Sequence, residues 1–162
     1  MSEQNLPYRT NVGAVLFDAA GQVLIAHRAD LPPEAPYGWQ WPQGGIDAPE
    51  TPPQAVLREV SEELGTDKVA ILAELPGWLT YDFPPEVIAR GRVGLRHRGQ
   101  RQKWFALRFL GEAGDLRLDA HPPPEFDALR WIALAEVPGL VVPWKRPVYE
   151  AVAAGFAALS AP

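Results

Sequence analysis

Three glutamates, Glu59, Glu62 and Glu63, crowd into the stretch GGIDAPETPPQAVLREVSEELGT, which runs from Gly44 to Thr66. On a helix, positions three and four apart are neighbours, so like charges there repel by a few tenths of a kcal/mol per pair. A solvated helix face is the ordinary reading of such a run. Three carboxylates within one turn also make a set of hard oxygen ligands, which suits Mg²⁺ or Mn²⁺ better than zinc. Magnesium keeps part of its water shell and commonly meets substrate phosphates. The chemistry that follows is phosphoryl or nucleotidyl hydrolysis by an activated water.

The local sequence predicts the helix that must carry them. Thr51 is suited to the N-cap, Pro52 follows at the first helical position, and Gly65 stands where a left-handed glycine ends a helix. The helix is therefore expected over about 52–64. At 100° per residue, Val56, Leu57, Val60 and Leu64 are expected to share an apolar face, with the glutamates on another.

Around this helix the chain reads as short strands. The runs 11–17 and 22–26 flank the turn residues DAAG and predict a β-hairpin. The proline-rich 28–38 segment is expected to be a surface loop. Further strands are expected in KVAILAEL, GWLTYDF, RQKWFALRFL and FDALRWIAL. The last segment, RPVYEAVAAGFAAL, has Pro147 near its start and apolar residues at 148, 152, 156 and 159, which predicts an amphipathic helix. Strands grouped around two helices without regular βαβ alternation give an α+β class, with a mixed β-sheet held between helices.

Composition bounds the function classes. A chain of 162 residues without repeats suits a single domain over 1–162. No apolar run approaches the roughly 20 residues that span a bilayer, so no membrane role is expected. There is no cysteine, which removes disulfides and thiolate metal sites, and a cytoplasmic location fits. The net charge of −5 argues against indiscriminate nucleic-acid binding, and no DNA partner is expected. The charge is uneven, however. From Ile88 to Gly111 there is no acidic residue, but there are Arg90, Arg92, Arg96, Arg98, Arg101, Lys103 and Arg108. This tract is either a solubilising segment before a strand or an attractor for polyphosphate and RNA backbone, with Lys103 as a candidate substrate contact. His27, His97 and His121 lack ligand spacing and are expected on surface or loop positions.

Gly44, Glu50, Arg58, Glu59, Glu62, Glu63 and Gly65, with apolar Val60, fit G-x5-E-x7-R-E-U-x-E-E-x-G. This pattern resembles the Nudix box, and average residue usage gives a chance match on the order of 10⁻⁹ per start point. Two positions depart from it: Thr66 where the box is usually apolar, and Pro49 where glycine is common. Further blocks, YRTNVGAVLF, WQWPQGGI, RQKWFAL, PEFDALRWI and VVPWKRPVYEAV, resemble the bacterial RNA pyrophosphohydrolase and (di)nucleoside polyphosphate hydrolase branch. The resemblance spans about residues 8–152.

The resemblance implies a mixed sheet sandwiched between helices. It also implies Mg²⁺, with Mn²⁺ as a substitute, held by Glu59, Glu62, Glu63 and Glu125, aided by a backbone carbonyl near Gln43 and Gly44. By the same resemblance the general base is expected to be one of Glu59, Glu63 and Glu125, and Glu50 and Arg58 are expected to form a structural contact. It further implies that Arg9 and Lys145 reach phosphates, that Arg28 and Trp144 enclose a base, and that Tyr81 touches substrate. The leading expectation is removal of pyrophosphate from 5′-triphosphorylated RNA. The alternatives are asymmetric cleavage of diadenosine polyphosphates and a non-catalytic nucleotide- or RNA-binding module. The sequence identifies no protein activator.

Overall fold

In the computed structural model, residues 6–90 and 96–160 are described. The strands are β1 (Tyr8–Phe17), β2 (Val23–Arg28), β3 (Trp39–Gln40), β4 (Gln43–Gly45), β5 (Val69–Glu74), β6 (Leu79–Asp82), β7 (Gly99–Phe109) and β8 (Phe126–Ile132). The α-helices are α1 (Pro52–Leu64), α2 (Pro85–Arg90) and α3 (Arg146–Gly155). The strands form one mixed sheet. Its central pair, β1 and β7, is parallel from Tyr8↔Gly99 to Phe17↔Arg108, and all other pairings are antiparallel.

Alternation along the central strands splits the core in two. On one face Val12, Ala14, Leu16, Phe105 and Leu107 pack against Ala55, Val56, Val60 and Leu64 of α1. Fully burying each of the larger aliphatic side chains contributes about 1.5–3 kcal/mol. On the other face Val15, Phe17, Trp41 and Trp104 meet Val148, Tyr149 and Val152 of α3. Trp41 stacks on Tyr149 at 4.4 Å, and its backbone N–H donates to the Tyr149 hydroxyl at 3.0 Å. That contact anchors the chain just before β4, and Ala14 N–H donates to Pro42 O at 2.9 Å from the β1 side. β4 is thereby held against β1 through Val12↔Gly44 and Gly13↔Gln43.

The ends of α1 follow the local signals. The Thr51 hydroxyl accepts from Gln54 N–H, and the Gln54 side chain accepts from Thr51 N–H at 2.9 Å, a reciprocal capping box. Gly65 closes the helix at φ 70°, ψ 20°, where a side chain would also meet the Arg117 carbonyl. Thr66, the polar residue at a usually apolar box position, is buried, and its hydroxyl accepts from Lys68 N–H at 3.0 Å.

Several expectations need correction. Leu57 is not part of the apolar face of α1; it is exposed, and Ala55 takes its place in the contact. One residue is 100° of helix, and the sheet covers only a narrow stripe centred on Val56, Val60 and Leu64. His27 is not a surface residue. It lies 3% exposed within β2, between β3 and β8, where the Asp127 carboxylate meets its Nδ1 at 2.8 Å. The last helix stops at Gly155 and continues as a separate 3₁₀ turn over Ala157–Ser160. α2 had no counterpart among the expected elements. Among the described residues, no helix is long and apolar enough to cross a membrane.

Candidate active site

Glu59, Glu62 and Glu63 of α1 and Glu125, just before β8, line one cavity of about 200 Å³ together with Leu118, His121 and Pro123. β4 runs alongside α1, and Gly44 lies directly against the Glu59 carboxylate; a Cβ at this position would overlap the carboxylate atoms. Only glycine allows the β4 backbone to approach so closely.

The cluster is electrostatically loaded. The proton affinity of Glu63 is raised by burial first, and then by the charges of Glu59, Glu125 and Glu62. Glu59 is shifted in the same direction by burial, against the pull of Arg58. One oxygen of Glu63, Oε2, is buried with no hydrogen-bond partner. The guanidinium of Arg58 supplies positive charge: Nη1 donates to Glu59 Oε1 at 2.9 Å and to Glu62 Oε2 at 3.2 Å. With Glu59 and Glu62 turned to Arg58, no three such side chains among the described residues close on one ion position. The donor set nevertheless fits a divalent ion in kind: four carboxylates, one with a partnerless buried oxygen, beside the Gly44 backbone make an all-oxygen set.

Arg58 also organises the loop that leads into the helix. Its Nε and Nη2 donate to the two oxygens of Glu50 at 2.7 and 2.9 Å, and Nη2 donates to Gly45 O at 2.8 Å. Asp47 N–H adds a bond to Glu50 at 3.0 Å. These contacts hold the Glu50 carboxyl down at about 2, mainly through Arg58 and then through the Asp47 N–H.

A second cavity, of about 240 Å³, is lined by Arg28, Gln40, Gln43, Tyr81, Gln100, Trp144 and Lys145, among others. Lys145 is buried beside it, 5.7 Å from the centre of the Tyr81 ring. Burial, reinforced by the charge of Arg28, lowers its ammonium to about 8. Arg9 is exposed beside Gly45, and its positive charge is felt at the Tyr81 hydroxyl. Arg28, Tyr81, Trp144 and Lys145 are thus brought together. Lys103 does not join them. Its Nζ donates to the carbonyls of Leu75 and Gly77 at 2.9 and 3.0 Å and lies 3.4 Å from Glu74.

Three more members of the basic tract are similarly engaged, whereas Arg96 is exposed. Arg98 pairs with Asp82 at 2.8 Å, Arg101 lies 4.0 Å from the centre of the Trp78 ring, and Arg108 donates to Asp18 O. Arg92 and the side chain of Arg90 lie outside the described residues.

Sequence reasoning missed an amide network at the floor of the second cavity. The Gln100 Oε1 atom accepts from the Tyr81 hydroxyl and from Asn11 Nδ2 at 2.8 Å, and Gln102 Nε2 donates to Gln43 Oε1 at 2.9 Å. The signal was present in GQRQKW: in a strand, Gln100 and Gln102 must share the face of buried Trp104. Asp30, which binds the Arg28 guanidinium, was also missed. A roomier cavity of about 540 Å³ lies between the β1–β2 turn and α3, but it is lined largely by alanines and offers no cluster of chemical groups.

Residues 7–152 match the NUDIX domain family. The chain is 61% identical to the RNA pyrophosphohydrolase of Acidiphilium cryptum over 152 residues, 94% of this chain and 92% of that protein. It is 52% identical to the RNA pyrophosphohydrolase of Gluconacetobacter diazotrophicus over 98% of this chain and 96% of that one. Among solved structures, the dihydroneopterin triphosphate pyrophosphohydrolase of E. coli shares the fold with a TM-score of 0.68 at 22% identity, covering 91% of this chain and 98% of that one. An Ap4A hydrolase of C. elegans does so with a TM-score of 0.61 at 20% identity, covering 93% and 98%. With its fold, box residues and family match in agreement, the chain belongs to the Nudix family.

Proposed function

We propose that this protein is a metal-dependent pyrophosphohydrolase that cleaves the 5′-triphosphate end of RNA and leaves a 5′-monophosphate. The observation that carries this reading is a pair of unlike compartments linked through β4, in which Gly44 lies against the Glu59 carboxylate of one and Gln43 lines the other. One is lined by four carboxylates, and the other combines Trp144, Tyr81, Arg28 and the buried Lys145 ammonium. The name RNA pyrophosphohydrolase borne by relatives at 52 and 61% identity supports the choice of RNA.

Glu59, Glu62, Glu63 and Glu125, with the Gly44 backbone, would hold Mg²⁺ or Mn²⁺. Such an ion, when bound, neutralises charge developing on the phosphates and increases the acidity of a water. Lys145 and Arg9 bind phosphate oxygens. Trp144 and Arg28 present an aromatic face and a guanidinium plane to a nucleobase, a contact worth roughly 1–3 kcal/mol. The attacking water transfers its proton to one of Glu59, Glu63 and Glu125 as the α–β phosphoanhydride breaks and pyrophosphate departs. Arg58 and Glu50 keep the loop and helix in register.

The test is a competition in Mg²⁺ between 5′-triphosphorylated RNA oligomers and diadenosine tetraphosphate, read as kcat/KM for each. Preference for RNA is expected. Preference for the dinucleotide would make the protein a dinucleoside polyphosphate hydrolase, and turnover of neither would reduce it to a binding module.

A further inference from the structure

Of the four carboxylates that line the candidate metal cavity, Glu125 alone comes from outside α1. Among the described residues, no side-chain hydrogen bond or ion pair holds its carboxylate, so the backbone sets where it lies. That backbone enters β8 through a bulge. β2 and β8 pair regularly from Val23↔Ile132 to His27↔Ala128, but Arg28 then faces Phe126, which leaves Asp127 as an extra residue. We propose that Asp127, bonded to the buried His27, is a positioning residue for Glu125: it holds the bulge that keeps this carboxylate against the glutamates of α1. The inference rests on the metal-dependent reading above.

The first argument is the direction of the Asp127 side chain. In a regular antiparallel pair Ala128 shares the face of its partner His27, and Asp127 would point to the opposite face. Within the bulge it turns to His27 instead, and its Oδ1 meets Nδ1 at 2.8 Å. A carboxylate facing Nδ1 places the imidazole proton there, so the ring donates and Asp127 accepts. Removing that acceptor leaves the ring N–H unmet and frees β8 to slip into regular register. Asp127 would then oppose Arg28, and Glu125 would move one position, about 3.4 Å, along β2. Such a shift far exceeds the few tenths of an ångström that a metal-ligand distance tolerates.

The second argument is the stiffness of the anchor. The His27 ring meets Trp39 edge-on at 5.3 Å, and a Cβ on Gly38 would come within 2.7 Å of Nε2, so the imidazole has no room to swing. Next to it Ala29 N–H donates to Glu125 O at 2.9 Å, and Pro123 and Pro124 restrict the backbone that precedes Glu125. Glu125 therefore hangs between a proline-stiffened approach and a bulge pinned to a buried ring, which is the support a ligand without a side-chain partner needs. The Asp127 side chain is 45% exposed, so shortening it opens no cavity in the core.

The experiment measures Mn²⁺ binding by calorimetry and hydrolysis of a triphosphorylated RNA for wild type, Asp127→Ala, Asp127→Asn, Glu125→Gln and the double variant Asp127→Ala with Glu125→Gln. Metal-free melting checks that each folds. Asp127→Ala should weaken Mn²⁺ binding by about 10-fold and lower kcat by a similar factor, with little change in KM. Asp127→Asn, which still offers an oxygen to the His27 N–H, should retain most of both. In the Glu125→Gln background Asp127→Ala should cost nothing further, because a residue acting through Glu125 has nothing left to position. Additive losses in the double variant, or a lower melting temperature with Mn²⁺ affinity and kcat unchanged, would overturn the proposal and leave Asp127 as a tie between strands. If wild type binds no Mn²⁺, the metal-dependent reading fails and this inference with it. Should Mn²⁺ bind and RNA go uncleaved, only the choice of RNA fails, and the Mn²⁺ affinities alone decide the role of Asp127.

Discussion

Arg58 grips Glu50 with two parallel hydrogen bonds, Nε to Oε2 at 2.7 Å and Nη2 to Oε1 at 2.9 Å, across the junction between the glycine-rich loop and α1. Lysine offers a single point charge and cannot reproduce that fork. Arg58→Lys is expected to lower the melting temperature and to reduce kcat more than it raises KM. The folded-state Glu50 carboxyl, at about 2, lies below its ordinary 4.5. Its contribution to stability is therefore present above pH 4.5 and is lost as the pH falls toward 2. Melting curves of both proteins across that range should show the gap between them closing.

Glu63 has the opposite sign. Its folded-state proton affinity is raised by burial and by three neighbouring carboxylates, so it costs stability increasingly as pH rises above the ordinary carboxylate range. Glu63→Gln should make the metal-free protein more stable at pH 8 than wild type, with a smaller difference at pH 5. Turnover should fall by at least about 100-fold. Magnesium should raise the melting temperature of wild type more than that of the variant, and EDTA should reverse the rise.

Lys145 provides a separate pH signature. Its ammonium is lowered to about 8 from 10.5 by burial, so the folded state bears a cost below pH 8 that is relieved as pH rises toward 10.5. Lys145→Met is expected to melt higher than wild type at pH 7 and to converge with it above pH 10. Its KM for a triphosphorylated RNA should rise by roughly 10-fold or more if Lys145 makes the proposed charge-assisted phosphate contact. Steady-state kinetics and melting across pH 7–10.5 test both halves.

Gly44→Ala would place a methyl group onto the Glu59 carboxylate. Displacing a reacting group by about an ångström can cost 100-fold in rate, so a kcat loss of that order is expected with the circular dichroism spectrum unchanged. A smaller loss would mean that Glu59 has room to move.

The sequence made α1 legible to its ends because Thr51, Pro52 and Gly65 act locally, through caps and φ preferences that need no distant partner. The glutamates were legible for the same reason, as their spacing on a helix is a matter of pitch. Leu57 and His27 were not, because their burial depends on which strands arrive from elsewhere: the sheet covers only a stripe of α1, and β8 brings Asp127 to a histidine a hundred residues earlier. Lys103 read as one member of a free cationic run. The register of β7 and the turn between β5 and β6 instead supply it with two carbonyls, a tertiary event invisible to a count of charges. Asp30 is the solvent-exposed residue its proline-rich loop suggests; what the sequence did not show is its pairing with the Arg28 guanidinium.

The parallel pairing of β1 with β7 also sets an order of events during synthesis. β1 emerges from the ribosome early and finds β2 within a few residues, but its other edge must wait for Gly99–Phe109. At about 5–20 residues per second, that interval is roughly 5–20 s. Throughout it Val12–Phe17, wholly apolar except for Gly13, lacks its central neighbour, and so does the sheet face on which α1 rests. A nascent chain arrested before residue 99 would already carry every residue of the Nudix box and yet have no platform for it, so ribosome-held fragments should stay inactive and protease-sensitive until β7 has cleared the exit tunnel.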